Sequence, residues 1–141
     1  MIGIFDGKYA FLSNFYPSSV TDEDDITYPT VEHYFQAMKT LDKAQRFNMA
    51  IQSTPGKAKR LGRKCNLRPD WESIKDSIME DALRKKFSDP ILKKALLDTG
   101  DEYLEEGNTW GDQYWGVCNG TGKNKLGKLL MKLREEFKKG E

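Results

Sequence analysis

Tyr28-Pro29-Thr30-Val31-Glu32-His33-Tyr34-Phe35-Gln36-Ala37-Met38-Lys39 is the stretch whose reading organises the rest of the chain. Thr30 is a good N-cap, because its hydroxyl can accept a hydrogen bond from an unpaired first-turn N–H, and Pro29 discourages helix before it. Val31, Tyr34, Phe35 and Met38 then fall at i, i+3, i+4 and i+7, the spacing of an apolar stripe. Glu32, Gln36 and Lys39 follow the same spacing on a neighbouring stripe, so a carboxylate, an amide and an amine point to one side of the helix. Two readings of that side are open: the wall of a pocket, or a solvated polar face with a first-turn Glu favoured by the helix dipole.

Working outward, residues 1 to 28 mix β-prone segments with turn residues. Ile2 to Phe5, Tyr9 to Leu12 and Ile26 to Tyr28 are separated by the Asp6-Gly7 turn and the acidic loop Asp22-Glu23-Asp24-Asp25, which predicts a small sheet. After the first helix, Asp42 is expected to cap a second with Ala44, Phe47, Ala50 and Ile51 as its apolar positions, and Thr54-Pro55 opens a short third that Gly62 closes. Asp70 is expected to cap a longer helix in which Trp71, Ile74, Ile78 and Ala82 form one apolar line, widened by Met79, Leu83 and Phe87. Asp89-Pro90 starts another that runs to Gly100. Tyr103-Leu104-Glu105 reads as a short strand, residues 107 to 123 as an ordered loop suited to surround a ligand, and Leu126, Leu129, Leu130, Leu133 and Phe137 as the stripe of a last helix. The expected fold is α+β: a single domain over residues 1–141, mostly helical, with a small N-terminal sheet packed on the helices.

A chain of 141 residues suffices for one domain with a sizeable core. Its 23 Lys+Arg against 22 Asp+Glu leave a formal net charge of +1, so the overall balance does not argue for a polyanionic partner, and any phosphate contact must be local. No apolar run approaches about 18 residues, and the N-terminus lacks a basic region followed by an apolar one. The expectation is therefore a cytoplasmic protein without a membrane span or signal peptide. Cys65 and Cys118, far apart in sequence, read as free thiols of a reducing compartment.

The ordered blocks Leu12-Ser13-Asn14-Phe15, Tyr28 to Lys39, Ala58-Lys59-Arg60-Leu61-Gly62-Arg63, Trp71-Glu72, Trp115-Gly116 and Gly122-Lys123-Asn124-Lys125-Leu126-Gly127 run almost the whole length of the chain. In that order they resemble the NADAR superfamily, and within it the YbiA-like N-glycosidases. The resemblance implies cleavage of a ribose–nitrogen bond in a phosphorylated intermediate of riboflavin synthesis; other branches remove ADP-ribose from guanine bases in nucleic acid. It thus implies a small phosphorylated riboside or an ADP-ribose conjugate as partner, with nucleic acid possible but not favoured by the neutral charge. A module that binds ADP-ribose or a related nucleotide without cleaving it is the alternative from outside enzymology.

A single histidine removes most common catalytic devices. No C-x-x-C or H-x₃-H spacing accompanies His33, Cys65 or Cys118, so neither a metal nor another cofactor is expected. Glu32 and His33 point about 100° apart on a helix, which makes His33 a packing or hydrogen-bonding residue. Carboxylates and amines remain, and they suit an oxocarbenium-like transition state. Glu32 and Asp112 are the candidate carboxylate pair. Lys39 is the third candidate catalytic group, as an amine that attacks the aldehyde carbon of a ring-opened ribose, or else as a phosphate contact or surface charge.

Trp71, Trp110 and Trp115 offer flat platforms for a heterocycle, although Trp71 also has the spacing of a core residue. Two Trp-Gly pairs compete for the family's motif. The distance to Gly122-Lys123-Asn124 favours Trp115-Gly116, which leaves Asp112 just upstream and Val117 where some relatives are acidic. Arg63, in the run Arg60, Arg63, Lys64 and Arg68, is the candidate phosphate partner, since its planar fork matches phosphate oxygens. Gly120 to Asn124 before a helix reads as an anion cradle or as a plain turn. Asn14, Phe15, Gln36 and Asn124 complete the expected substrate contacts.

Overall fold

Thr30 opens the first α-helix as its sequence dictates. Its Oγ1 accepts from the backbone N–H of His33 at 3.1 Å, and the helix α1 runs Val31–Ala37. The computed structural model describes residues Met1–Gly140. The chain divides into two compact units: Asn14–Lys86, and Met1–Ser13 together with the chain from Phe87 on.

The unit Asn14–Lys86 begins with an antiparallel pair, β1 (Val20–Thr21) and β2 (Thr27–Tyr28), in the register Val20↔Tyr28. Asp22 builds the connecting turn: Oδ1 accepts from the N–H groups of Asp24 and Ile26, and Oδ2 from the Tyr28 hydroxyl at 2.7 Å. That carboxylate and burial together push the Tyr28 phenol far above its usual range, burial being the larger cause. Helix α1 follows and is buried on every side, polar residues included. It packs against α2 (Lys43–Ala50), α3 (Pro55–Gly62) and α4 (Trp71–Lys86).

His33 is fully buried among these helices. Its Nε2 donates to the carbonyl of Gln52 at 3.0 Å, which leaves Nδ1 to accept from the Thr30 hydroxyl at 2.8 Å. Burial lowers its pKa, so the neutral ring acts as a brace between α1 and the segment after α2.

Three local expectations are corrected in this unit. Asp42 does cap α2, accepting from Ala44 and Gln45, but Phe47 and Ile51 are 57% and 61% exposed, and the helix turns Arg46 and Met49 inward instead. The inward Arg46 is supported because its Nε donates to the Thr40 carbonyl at 2.8 Å and Glu23 and Asp24 lie within 3.9 Å of its guanidinium. Asp70 spends its carboxylate on the Arg68 guanidinium, at 2.7 and 3.3 Å, while its carbonyl accepts from Ser73. In α4 the centre of the buried face is Met79, Ala82 and Leu83, with Ile74 and Ile78 at its half-buried edge.

In the other unit Tyr9–Leu12 is not a strand. It belongs to a 3₁₀-helix, Gly7–Leu12, entered by Gly7 at φ +55°, with Tyr9 N–H bonded back to the Asp6 carbonyl at 2.9 Å. Local i→i+3 bonding wins because no neighbouring strand offers a ladder. Ile2 meets Leu104 in a single parallel bridge, so the expected strand at Tyr103 to Glu105 is reduced to that contact. Helix α5 (Pro90–Leu97) is capped by Asp89 and packs on α6 (Lys125–Lys139), which buries Leu126, Leu130 and Leu133. Arg134 is buried with them and donates to Thr99 Oγ1 at 2.9 Å. Among the described residues no helix is long and apolar enough to cross a membrane.

Candidate active site

Lys39 lies just past the end of α1, and its backbone is fixed from both sides. Its N–H donates to the Gln36 carbonyl at 3.2 Å, and its own carbonyl accepts from the Arg68 N–H at 2.8 Å. The Arg68 side chain, held by Asp70, reaches the Met38 carbonyl at 3.4 Å. The lysine is therefore anchored by a loop that also closes α1's unpaired C-terminal carbonyls, a common role for basic groups there.

The Lys39 amine is half-buried, and burial is the main cause that lowers its pKa below the ordinary lysine value. Glu32 and Cys65 oppose that shift, whereas Arg63 and Lys59 push in the same direction. Five side chains thus share one electrostatic neighbourhood. Glu32, about two turns earlier on α1, is 8% exposed, and its N–H is bonded to the Asn14 carbonyl at 3.1 Å. Cys65 donates from Sγ to the Gly62 carbonyl at 3.3 Å; burial pushes its thiol up and Lys39 pulls it down less strongly, so the thiol stays protonated at neutral pH.

Gln36 stands between Glu32 and Lys39, pressed on α3. A Cβ placed on Gly62 would lie 1.9 Å from Gln36 Oε1 and 3.2 Å from its Cβ, so only glycine lets α3 come this close. Gln36 Oε1 and Asn14 Oδ1 are buried and accept no hydrogen bond, while Asn14 Nδ2 reaches only the Met79 sulfur at 3.5 Å. An unpaired buried acceptor costs about 1–3 kcal/mol, and two beside one titratable cluster are what a binding site retains.

The structure therefore brings Glu32, Gln36, Lys39 and Arg63 together, with Asn14 at the start of α1. Trp71 takes its core reading: it is 5% exposed and packs its ring edge on Phe35, centroids 5.0 Å apart. Phe15 is 45% exposed.

Asp112, Trp110, Trp115 and Asn124 belong to the other unit. Asp112 shapes its loop: Oδ1 accepts from the N–H groups of Tyr114 and Trp115 at 3.1 and 2.9 Å, and Asn108 brackets its backbone. Trp110 is 63% exposed, and Trp115 meets Tyr114 edge to face. Asn124 is buried with its amide committed to backbone, Oδ1 accepting from Glu106 N–H and Nδ2 donating to the Leu104 carbonyl. The stretch expected as an anion cradle or a plain turn has most of its amides bonded to backbone. The N–H groups of Thr121, Lys123, Asn124, Lys125 and Leu126 are bonded to the carbonyls of Cys118, Gln113, Gly116, Tyr114 and Trp115. A loop that folds back over its own helix start commits these five amides to backbone carbonyls.

Sequence reasoning did not single out Lys59, Gly62 or Cys65 as parts of the site. The one available signal was spacing: Ala58 and Gly62 form the buried stripe of α3, so Lys59 and Arg63, each one residue on, share the adjacent stripe. Among the described residues no group of three or more His, Cys, Asp or Glu is placed to hold a metal ion.

Comparisons with known proteins establish the family and the fold. The NADAR domain model matches residues 4–138. The chain is 46% identical over 135 residues to N-glycosidase YbiA of Escherichia coli (strain K12), covering 92% of this chain and 82% of that protein. It is 37% identical over 136 residues to a riboflavin biosynthesis protein of Vibrio vulnificus, covering 94% of this chain but only 36% of that longer protein. The NMR structure of the E. coli protein YbiA superposes with a TM-score of 0.82 at 41% identity, covering 99% of this chain and 88% of that one. The chain belongs to the NADAR family.

Proposed function

We propose that this chain, an N-glycosidase of the NADAR family, hydrolyses the bond between ribose and an amino nitrogen in a small phosphorylated riboside, with riboflavin-pathway aminopyrimidine ribosides as the favoured class. The observation that carries this reading is the pairing of a half-buried amine of lowered pKa, Lys39, with the buried carboxylate of Glu32 on the helix that ends just before it. The names of relatives support the bond type and the substrate class.

In this reading Lys39 acts as its neutral amine. A glycosylamine opens its ring to a protonated imine at C1; the Lys39 nitrogen adds there, and a proton passes from that nitrogen to the departing one. The C1–N bond to the base then breaks, releasing the amine and leaving C1 joined to Lys39 as an imine. Water adds to that carbon, and collapse returns the lysine and frees the sugar phosphate. Glu32 is the group placed to carry the protons between nitrogens and water. The half-burial that lowers Lys39's pKa favours the neutral amine relative to an exposed lysine, since desolvation disfavours the ammonium.

The test is direct incubation with ribosylaminopyrimidine phosphates and, separately, with ADP-ribosylated DNA, followed by mass spectrometry for free aminopyrimidine and for free ADP-ribose. Release of aminopyrimidine with concomitant pentose phosphate is the expected result. Release only of ADP-ribose from the DNA, or no release from either, would overturn the proposed substrate class.

A further inference from the structure

We propose that Lys59 and Arg63 form a clamp for the phosphate monoester of the ligand, placed on α3 so that its occupancy is felt at Lys39. This inference rests on the N-glycosidase reading of the same site and adds the residues that select a phosphorylated sugar over a free one.

The placement follows from α3. Ala58 and Gly62 are buried, and Gly62 lies against Gln36 of α1. Lys59 and Arg63 are the next stripe round, four residues and so one helical turn apart, which aims an ammonium and a guanidinium at the same region. Lys59 is half-buried and Arg63 exposed. Among the described residues neither side chain makes an ion pair or a hydrogen bond, whereas Lys75, Arg84 and Lys94 on α4 and α5 each pair with a carboxylate on their own helix.

The charge balance points the same way. Lys59 and Arg63 are the two cations that press on Lys39, Glu32 is the carboxylate beside it, and Cys65 is a neutral thiol. Like charges gathered at a half-buried site are unfavourable by themselves, so the arrangement is complementary to a dianion. A phosphate monoester supplies that charge, and the guanidinium fork matches its oxygens while the ammonium adds a point charge. The α3 dipole does not help, since Arg63 caps the C-terminal end, which repels anions; the side chains must do the binding. A dianion held there also cancels the two cations that press on Lys39.

Ribose 5-phosphate, ribose and inorganic phosphate, titrated calorimetrically into the wild-type chain and its variants, test the clamp without turnover. Wild type is expected to bind ribose 5-phosphate far more tightly than ribose. Lys59→Ala/Arg63→Ala should weaken ribose 5-phosphate on the order of 100-fold, the scale of losing hydrogen bonds to a charged group. The exchange Lys59→Arg/Arg63→Lys, which preserves both charges, should recover most of that loss. Equal wild-type affinity for ribose and ribose 5-phosphate, or an alanine double variant within about threefold of wild type, overturns the clamp. So does a charge-preserving variant as weak as the alanine one. If the clamp behaves as expected while no riboside is cleaved, the glycosidase reading fails and the phosphate site stands. Cleavage without the affinity pattern overturns the clamp and leaves the glycosidase reading in place.

Discussion

Gln36 Oε1 would sit 1.9 Å from a Cβ on Gly62, so α3 meets α1 there through a residue without a side chain. Alanine at position 62 would gain about 1 kcal/mol of helix propensity, since glycine is the poorer helix former. Overpacking at a tight interface costs about 1–3 kcal/mol, so Gly62→Ala should be neutral to moderately destabilising, and Gly62→Val clearly more so. Urea denaturation midpoints check the order. Because the displaced group is Gln36, kcat/KM should fall for Gly62→Ala even where stability is little changed.

Lys39 has a titration whose neighbours can be removed one at a time. Its midpoint should lie below the ordinary 10.5, with burial the largest cause. Arg63→Ala and Lys59→Ala should each move it up, since both cations lower it, and Glu32→Gln should move it down, since the carboxylate raises it. The pH dependence of Lys39 acylation, followed by peptide mass spectrometry, measures this without catalysis. A midpoint that ignores all three substitutions would show that these groups do not share one electrostatic neighbourhood.

Lys86 gives a stability prediction away from the site. It is 1% exposed with its Nζ 5.6 Å from the Tyr16 ring centroid, and burial pushes its pKa from 10.5 down to about 7. Between those two values the unfolded chain binds a proton that the folded chain does not, so stability should rise with pH across that window. The contribution is fully present above the unfolded value and is lost as pH falls through about 7. Lys86→Met, which roughly conserves volume, should flatten the rise in denaturation midpoint between neutral and alkaline pH. An unchanged slope would contradict the assignment.

Local chemistry made much of this fold legible and left the rest to tertiary packing. The Thr30, Asp42, Thr54 and Asp89 caps all form, because a cap depends on residues within one turn. Which face of α2 turns inward was not legible, since Arg46 is buried through Thr40, Glu23 and Asp24, partners outside its helix. The site divides the same way. Glu32 and Gln36 on α1 and Lys39 just past its end were visible as a stripe, and Arg63 was visible through its family block and its guanidinium chemistry. Lys59 and Gly62 stand in that same block, but they and Cys65 join the site through tertiary packing, where α3 meets α1 at a glycine.

The central claim is that Lys39 is the nucleophile, and borohydride trapping during turnover tests it most directly. Sodium borohydride added with a ribosylaminopyrimidine phosphate should reduce the imine to a stable protein–sugar adduct, located at Lys39 by peptide mass spectrometry. Lys39→Arg, which keeps the charge but lacks a nucleophilic amine, should give neither adduct nor turnover. Absence of any adduct in the wild-type chain, together with substantial turnover by Lys39→Arg, would contradict the account and leave Glu32 to act directly on an oxocarbenium-like ribose.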